Sequence, residues 1–127
     1  MYNVLIVDDD TLMRNALRAM ISRFKNFQII GEAANGAEAI AICRLYPVHL
    51  IFMDIMMPVM DGLEATKEIR RLSRRDCQEI PIIAMSANAF DDDVKRSMAS
   101  GMNGHLSKPV NIGKLEEMLA SLWSGKQ

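Results

Sequence analysis

Leu50, Ile51, Phe52 and Met53 form an unbroken apolar run, and the next residue is a carboxylate, Asp54. A short run without alternation, bounded by a turn signal, predicts a strand buried on both faces. A carboxylate fits neither face of such a strand, because burying it unpaired costs several kcal/mol or more. Asp54 is therefore expected at the strand's carboxyl end, opening into the crevice where open parallel α/β sheets bind ligands. Pro58 and the Asp61-Gly62 pair turn the chain into the next helix. A lone Asp at such a place would read as a loop carboxylate capping a nearby group.

The same grammar recurs. Val4-Leu5-Ile6-Val7 is a second apolar run and ends in Asp8-Asp9-Asp10. Ile80-Pro81-Ile82-Ile83-Ala84-Met85 is a third and ends in the hydroxyl of Ser86. Gly104-His105-Leu106-Ser107 is shorter and ends at Lys108-Pro109, and residues 28–33 make a weaker strand. Helical periods fill the intervals. Leu12, Met13, Ala16, Leu17, Met20, Ile21 and Phe24 recur at amphipathic-helix spacing, with Thr11 or Asp10 as the cap. Asn35-Gly36 opens an alanine-rich helix running to about Tyr46, where Pro47 marks the stop.

A third helix spans about Leu63 to Leu72, with Arg70, Arg71, Arg74 and Arg75 crowded near its end, where cations complement the helix dipole. A fourth runs from Asp91 to about Ser100 and stops at Gly101. A fifth places Ile112, Leu115, Met118, Leu119 and Leu122 on one face. Strand and helix alternating five times predict a parallel sheet covered by helices on both sides, with right-handed connections.

Residues 1–127 are expected to form one domain, long enough for a real core. A net charge of -1 gives no reason to expect nucleic acid or an anionic membrane as partner. The arginine run carries no interleaved aromatic residues. No apolar run approaches the roughly 20 residues needed to span a bilayer, and the first residues lack a basic leader with a cleavage site. Cys43 and Cys77 lie far apart, as reduced thiols of a cytosolic protein would, and the eleven methionines read mostly as core filler.

The strand ends deliver chemistry to one edge: Asp8 and Asp9, Asp54, Ser86 and Lys108. Clustered carboxylates raise one another's pKa unless a cation sits among them. With oxygen ligands alone that cation is expected to be hard, Mg²⁺ first and Mn²⁺ or Ca²⁺ as substitutes. Lys108 and Ser86 then offer a charge and a hydrogen bond to phosphoryl oxygens. Phosphoryl transfer needs little beyond a positioned nucleophile, a metal and charge neutralisation. A carboxylate nucleophile would yield an acyl phosphate.

These residues show a family. Leu5-Ile6-Val7-Asp8-Asp9-Asp10, Met53-Asp54-Ile55-Met56-Met57-Pro58, Met60-Asp61-Gly62, Ala84-Met85-Ser86-Ala87 and Ser107-Lys108-Pro109 occur in order. Together they closely resemble the receiver domain of two-component response regulators over essentially the whole chain. The resemblance implies a flavodoxin-like (βα)5 fold with a doubly wound parallel five-stranded sheet in order 2-1-3-4-5. It implies Asp54 as phosphoacceptor, Asp8 and Asp9 as the acidic metal pair, and the Met56 carbonyl as a further ligand. Ser86 and Lys108 would contact the phosphoryl group, and the Lys108-Pro109 bond would be cis. Asn88-Ala89-Phe90 and residues 101–109 look most like receivers of hybrid sensor kinases and phosphorelays.

By this resemblance the chain is a cytoplasmic signalling module rather than an enzyme. Its donor is a histidine kinase or histidine phosphotransfer protein. An output partner, or a second copy, would dock on the face of the fourth helix, fifth strand and fifth helix. The family usually carries an aromatic residue where this chain has His105, which implies a switch ring that moves when Ser86 moves. A plain half-buried strand histidine is the other reading, and His49 reads as a loop residue. Leu12 and Met13 are adjacent, so one helix stripe cannot bury both equally well: either one of them is exposed beside the crevice, where the resemblance places contact with a histidine-bearing helical bundle, or both belong to the core. Met56 and Asn88 flank the approach of a hydrolytic water; neither is a general base, which implies a long-lived acyl phosphate.

Two alternatives differ in class. Asp8-Asp9-Asp10-Thr11 loosely resembles the start of haloacid-dehalogenase-like phosphatases, with Asp8 as nucleophile, but Asp54 would then have no role. A nucleotide or flavin binder on the same fold lacks a glycine-rich phosphate loop after the first strand.

Overall fold

All five expected strands form in the computed structural model, which describes residues 1–87 and 91–124. They are β1 (Tyr2–Val7), β2 (Phe27–Ala33), β3 (Leu50–Asp54), β4 (Ile82–Ser86) and β5 (Gly104–Ser107). Around them lie α1 (Thr11–Ile21), α2 (Gly36–Leu45), α3 (Gly62–Arg71), α4 (Arg75–Glu79), α5 (Asp91–Ser100) and α6 (Ile112–Ser124). The sheet is parallel, in order β2-β1-β3-β4-β5. This is the flavodoxin-like order that the sequence resemblance implies.

Alternation along the strands divides the interior in two. Leu5, Val7, Ile51, Met53, Ile82 and Ala84 join one core with Ala39 and Cys43 of α2, Ala65 and Ile69 of α3, and Cys77 of α4. Val4, Ile6, Leu50, Phe52, Ile83 and Met85 join the other with Leu17 and Ile21 of α1 and Leu115 and Leu119 of α6. Period two then places Asp54, two residues after Phe52, on the α1/α6 side, and Ser86, two after Ala84, on the side of α2 and α3. The sheet edge at the strands' carboxyl ends is where those sides meet. Cys43 and Cys77 are both free and buried, and burial, with the Cys77 thiol nearby, pushes the Cys43 thiol up to about 12.

The helix starts follow capping chemistry. Asp10 caps α1, its carboxylate accepting from the Leu12 amide at 2.9 Å. Asn35 and Asp61 cap α2 and α3 by accepting from Glu38 N and Glu64 N. α1 stops at Ile21, three residues short of Phe24, which packs on the α1/α6 core from the following turn. The Lys108-Pro109 bond is cis, as the resemblance implies.

One element was not expected. Arg74 and Arg75 do not extend the cationic end of α3; they open the extra short helix α4. Arg74 caps its neighbours instead, donating to the carbonyls of Arg44 and Tyr46 at the end of α2 while pairing with Asp76. Arg70 sits at the end of α3, but its guanidinium donates to the Gly101 carbonyl past α5, to Cys77 O and to Asn103 Oδ1.

The β3–α3 connection is tightly folded. Val59 has φ of 67°, and Met60 N donates to Pro58 O across it. A β-branched residue at positive φ is strained. Gly62 then starts α3 against the strand end: a Cβ there would lie 2.2 Å from the Asp54 carbonyl oxygen, so only glycine fits.

Candidate functional site

Three strand ends bring charge together at the carboxyl edge of the sheet. Asp8 follows β1, Asp54 ends β3, and Lys108 follows β5. Asp8 is fully buried and Asp54 is 3% exposed. Lys108 Nζ lies 2.8 Å from Asp8 Oδ2 and 3.1 Å from Asp54 Oδ2, so one ammonium bridges two carboxylates. The remaining oxygens face backbone donors: Asp10 N donates to Asp8 Oδ1 at 2.9 Å, and Met56 N to Asp54 Oδ1 at 3.1 Å.

Electrostatics at this junction favour a further cation. Burial above all, opposed by the Met56 amide and reinforced by the Asp8 charge, raises the Asp54 carboxyl from its ordinary 3.8 to about 6. Burial works against the Lys108 ammonium, but its pairing with Asp8 and Asp54 outweighs that and raises its pKa. One ammonium thus leaves the carboxylates under-compensated.

Asp8, Asp9 and Asp54 each offer an oxygen within 4.8 Å of the other two. Asp8 Oδ2 is buried and has no aligned hydrogen bond, its ion pair with Lys108 notwithstanding. A buried carboxylate oxygen that shares one ammonium with Asp54, amid an all-oxygen donor set, fits a hard divalent ion, and Mg²⁺ held by few carboxylates keeps waters that a phosphate oxygen can replace.

The expected switch pair meets on the other side of the sheet. Ser86 Oγ and His105 Nε2 are 2.8 Å apart, and the imidazole tautomer sets which of them donates. In register, Ala84 pairs with His105 and Ser86 with Ser107. Lys108 N donates to Ser86 O at 2.8 Å, tying the two strand ends together. His105 is therefore a hydrogen-bonded ring facing the Ser86 hydroxyl, partly buried.

The other expected residues sort themselves. Leu12 is 78% exposed whereas Met13 packs on the α1/α6 core, so Leu12 is the outward one. The Met56 side chain is 74% exposed. Asn88 lies outside the described residues, as do Ala89 and Phe90. His49 is exposed but not idle: its Nδ1 accepts from Asn3 N and its own amide donates to Asn3 O, both at 2.8 Å, at the amino end of β3 and so at the opposite end of the strand from Asp54.

Sequence reasoning missed Arg14 and Glu32. Arg14 Nη1 donates to the Asp8 carbonyl at 2.6 Å, Nη2 to Thr11 Oγ1, and Nε to Glu32 Oε1 at 3.3 Å. Arg18 pairs with the other oxygen of Glu32. An arginine on the polar stripe of an amphipathic helix reads as solvated. The one available signal is its place a turn beyond Asp10, within reach of the acidic loop.

Residues 4–120 match the family model of the response regulator receiver domain. The Escherichia coli response regulator UvrY is 32% identical over 127 residues, covering 100% of this chain and 56% of UvrY, so this chain spans about half of that relative's length. The receiver domain of the sensor histidine kinase PA1611 of Pseudomonas aeruginosa, crystallised with magnesium in its active site cleft, superposes with TM-score 0.83. It is 30% identical, over 94% of this chain and 95% of that one. A chain of the co-crystal structure of Saccharomyces cerevisiae Ypd1, a histidine phosphotransfer protein, with the receiver domain of its downstream response regulator Ssk1 gives TM-score 0.80. That match is 34% identical, over 94% of this chain and 86% of that one. Among the described residues no helix is long and apolar enough to cross a membrane.

Proposed function

The chain belongs to the response regulator receiver family, and on that premise we propose that Asp54 is its phosphoacceptor, charged by a partner's phosphohistidine. The observation that carries this reading is the Asp8–Lys108–Asp54 bridge: a carboxylate at the end of β3, nearly buried, whose neighbours are an ammonium and two further carboxylates. In the reaction an Asp54 carboxylate oxygen attacks phosphorus. The P–N bond of the donor breaks, its electron pair stays on the imidazole, and a P–O bond forms. Lys108 turns its ammonium from Asp54 toward a phosphoryl oxygen, and the Ser86 hydroxyl donates to another. Asp8, Asp9, Asp54 and the Met56 carbonyl would hold Mg²⁺, which supplies charge neutralisation for the transferring group.

Residues 1–127 form one such domain in this reading, acting as a cytoplasmic module whose only chemistry is its own phosphorylation and hydrolysis. Its donor is a histidine kinase or a histidine phosphotransfer protein. Its output, a different protein or a second copy, docks on the α5–β5–α6 face, and nucleic acid and membrane are not partners of this domain. Met56 presents a bulky thioether with no proton to give or take, and Asn88 carries no charge, so the acyl phosphate is long-lived.

The test is mass spectrometry after incubation with acetyl phosphate. One Mg²⁺-dependent phosphoryl group is expected, lost in Asp54→Asn and slowed in Asp8→Asn. Multiple turnover of an aryl phosphate that survives Asp54→Asn but dies with Asp8→Asn would replace this reading by the haloacid-dehalogenase-like one.

A further inference from the structure

Of the three carboxylates that face the metal pocket, two are held by their own side-chain contacts. Asp8 is fixed by Asp10 N and Lys108, and Asp54 by Met56 N and Lys108. Asp9 is exposed, and among the described residues its carboxylate has no hydrogen bond or ion pair. Yet an Asp9 oxygen lies within 4.8 Å of ligand atoms on both other residues. Its direction must come from its backbone, and so from the peptide that joins it to Asp8.

That peptide is gripped. Arg14 Nη1 donates to its carbonyl oxygen, the Asp8 carbonyl, at 2.6 Å. The guanidinium cannot swing away, because Nε is held by Glu32 Oε1 at the end of β2 and Nη2 by Thr11 Oγ1. Glu32 is in turn held from the far side by Arg18. A planar fork with three partners fixes a peptide plane as a lysine's single ammonium cannot.

From this geometry we infer that Arg14, moored on Glu32, is a positioning residue for the metal site, fixing the Asp8–Asp9 peptide so that Asp9 points into the pocket. The inference rests on the proposed Mg²⁺ role of Asp8, Asp9 and Asp54.

The sign of one measurement separates positioning from simple charge. By charge alone, removing a cation beside the pocket lessens the repulsion that Mg²⁺ meets, so Arg14→Ala would bind Mg²⁺ more tightly. By positioning, it binds more weakly, by about the 10- to 100-fold that loss of an outer-shell partner costs a metal site. The experiment titrates Mg²⁺ into the metal-free chain, following heat and the backbone amide resonances of residues 8–10 and 54–56. Urea unfolding without metal is measured beside it.

Arg14→Ala is expected to weaken Mg²⁺ binding, and Arg14→Lys to restore little of it. At saturating Mg²⁺ the rate of phosphorylation by acetyl phosphate should return to near that of the wild type, which a general loss of folding would not allow. Glu32→Gln should weaken Mg²⁺ binding when Arg14 is present and have no further effect in the Arg14→Ala background. Should Arg14→Ala not fold, Arg14→Lys, which keeps the charge and loses the fork, decides: Mg²⁺ affinity equal to the wild type overturns the inference. Arg14→Ala binding Mg²⁺ as tightly as wild type, or more tightly, also overturns it while leaving the metal reading intact. A wild-type chain that takes up no Mg²⁺ overturns both.

Discussion

The nearly buried Asp54 carboxylate costs the fold stability. Its carboxyl is raised from 3.8 to about 6 in the folded chain, chiefly by burial. The folded state therefore binds a proton that the unfolded state has already released between pH 4 and 6, so metal-free stability falls as pH rises through that window. Above the window the full cost remains, about 3 kcal/mol at ~1.36 kcal/mol per pH unit. Asp54→Asn removes the titration. In chelator at pH 7.5 it is expected to raise the free energy of unfolding by about 2–3 kcal/mol, with the gain vanishing toward pH 4. Urea melts of both proteins across pH 4–8 check this; a gain that persists unchanged at pH 4 refutes the titration as its source.

At this scale the sequence was informative where a residue broke a pattern. Asp8, Asp54 and Ser86 each end an apolar run, Lys108 follows a short strand before a proline, and each is found at the carboxyl edge. Arg14 and Glu32 break nothing, because a polar residue on a polar stripe is the default, and their partners are fixed only by the β1–β2 register.

Elements follow from period and punctuation, with α4 the exception. α4 is five residues long, too short for any period to reveal, and its arginines were assigned to the end of α3 by proximity in sequence. Arg74 reaches the last carbonyls of α2, 30 and 28 residues away, whereas Arg75 pairs with Glu79 within α4 itself. The adjacent pair on α1 shows the converse. One stripe could not bury both Leu12 and Met13, and packing against the α1/α6 core took Met13.

Leu12 is left 78% exposed at the start of α1, two residues past the end of the acidic loop, while Met56 and Val59 are exposed in the β3–α3 connection. These apolar side chains belong to the segments that leave the carboxyl ends of β1 and β3, where on the proposed reading a donor protein approaches Asp54. Leu12→Ala is expected to slow phosphotransfer from a histidine phosphotransfer protein several-fold, in the range of about 1 kcal/mol for an interface contact, with the rate from acetyl phosphate unchanged. Parallel rate measurements with the two donors decide it, and equal slowing with both would assign Leu12 to stability instead.

Across the whole molecule the sheet separates two groups that phosphorylation must connect. The carboxylates and Lys108 gather with the α1/α6 side, whereas Ser86 and His105 belong to the side of α2 and α3. Ser86 ends β4, so its hydroxyl sits at the rim from which either side can be reached. In this structure it meets His105 Nε2 at 2.8 Å. A hydroxyl has one proton to donate, so if Ser86 gives it to a phosphoryl oxygen on Asp54, Nε2 can keep the contact only by becoming the donor. Where Nε2 is the acceptor of this bond, the ring must then change its tautomer or move away, and either event acts on β5, the strand that carries it. The exchange involves one hydrogen bond, about 1 kcal/mol or roughly a factor of 5 in the switch equilibrium.

The expected observation is a shift of the His105 ring nitrogens in NMR spectra when acetyl phosphate is added with Mg²⁺. Ser86→Ala should still take a phosphoryl group at Asp54, more slowly, with that ring shift abolished and the amide changes in residues 104–124 reduced. His105→Phe should leave phosphorylation intact and remove the polar step. If the ring resonances of phosphorylated Ser86→Ala move as far as those of the phosphorylated wild type, the signal crosses the sheet by another route, and the Ser86–His105 hydrogen bond is only packing.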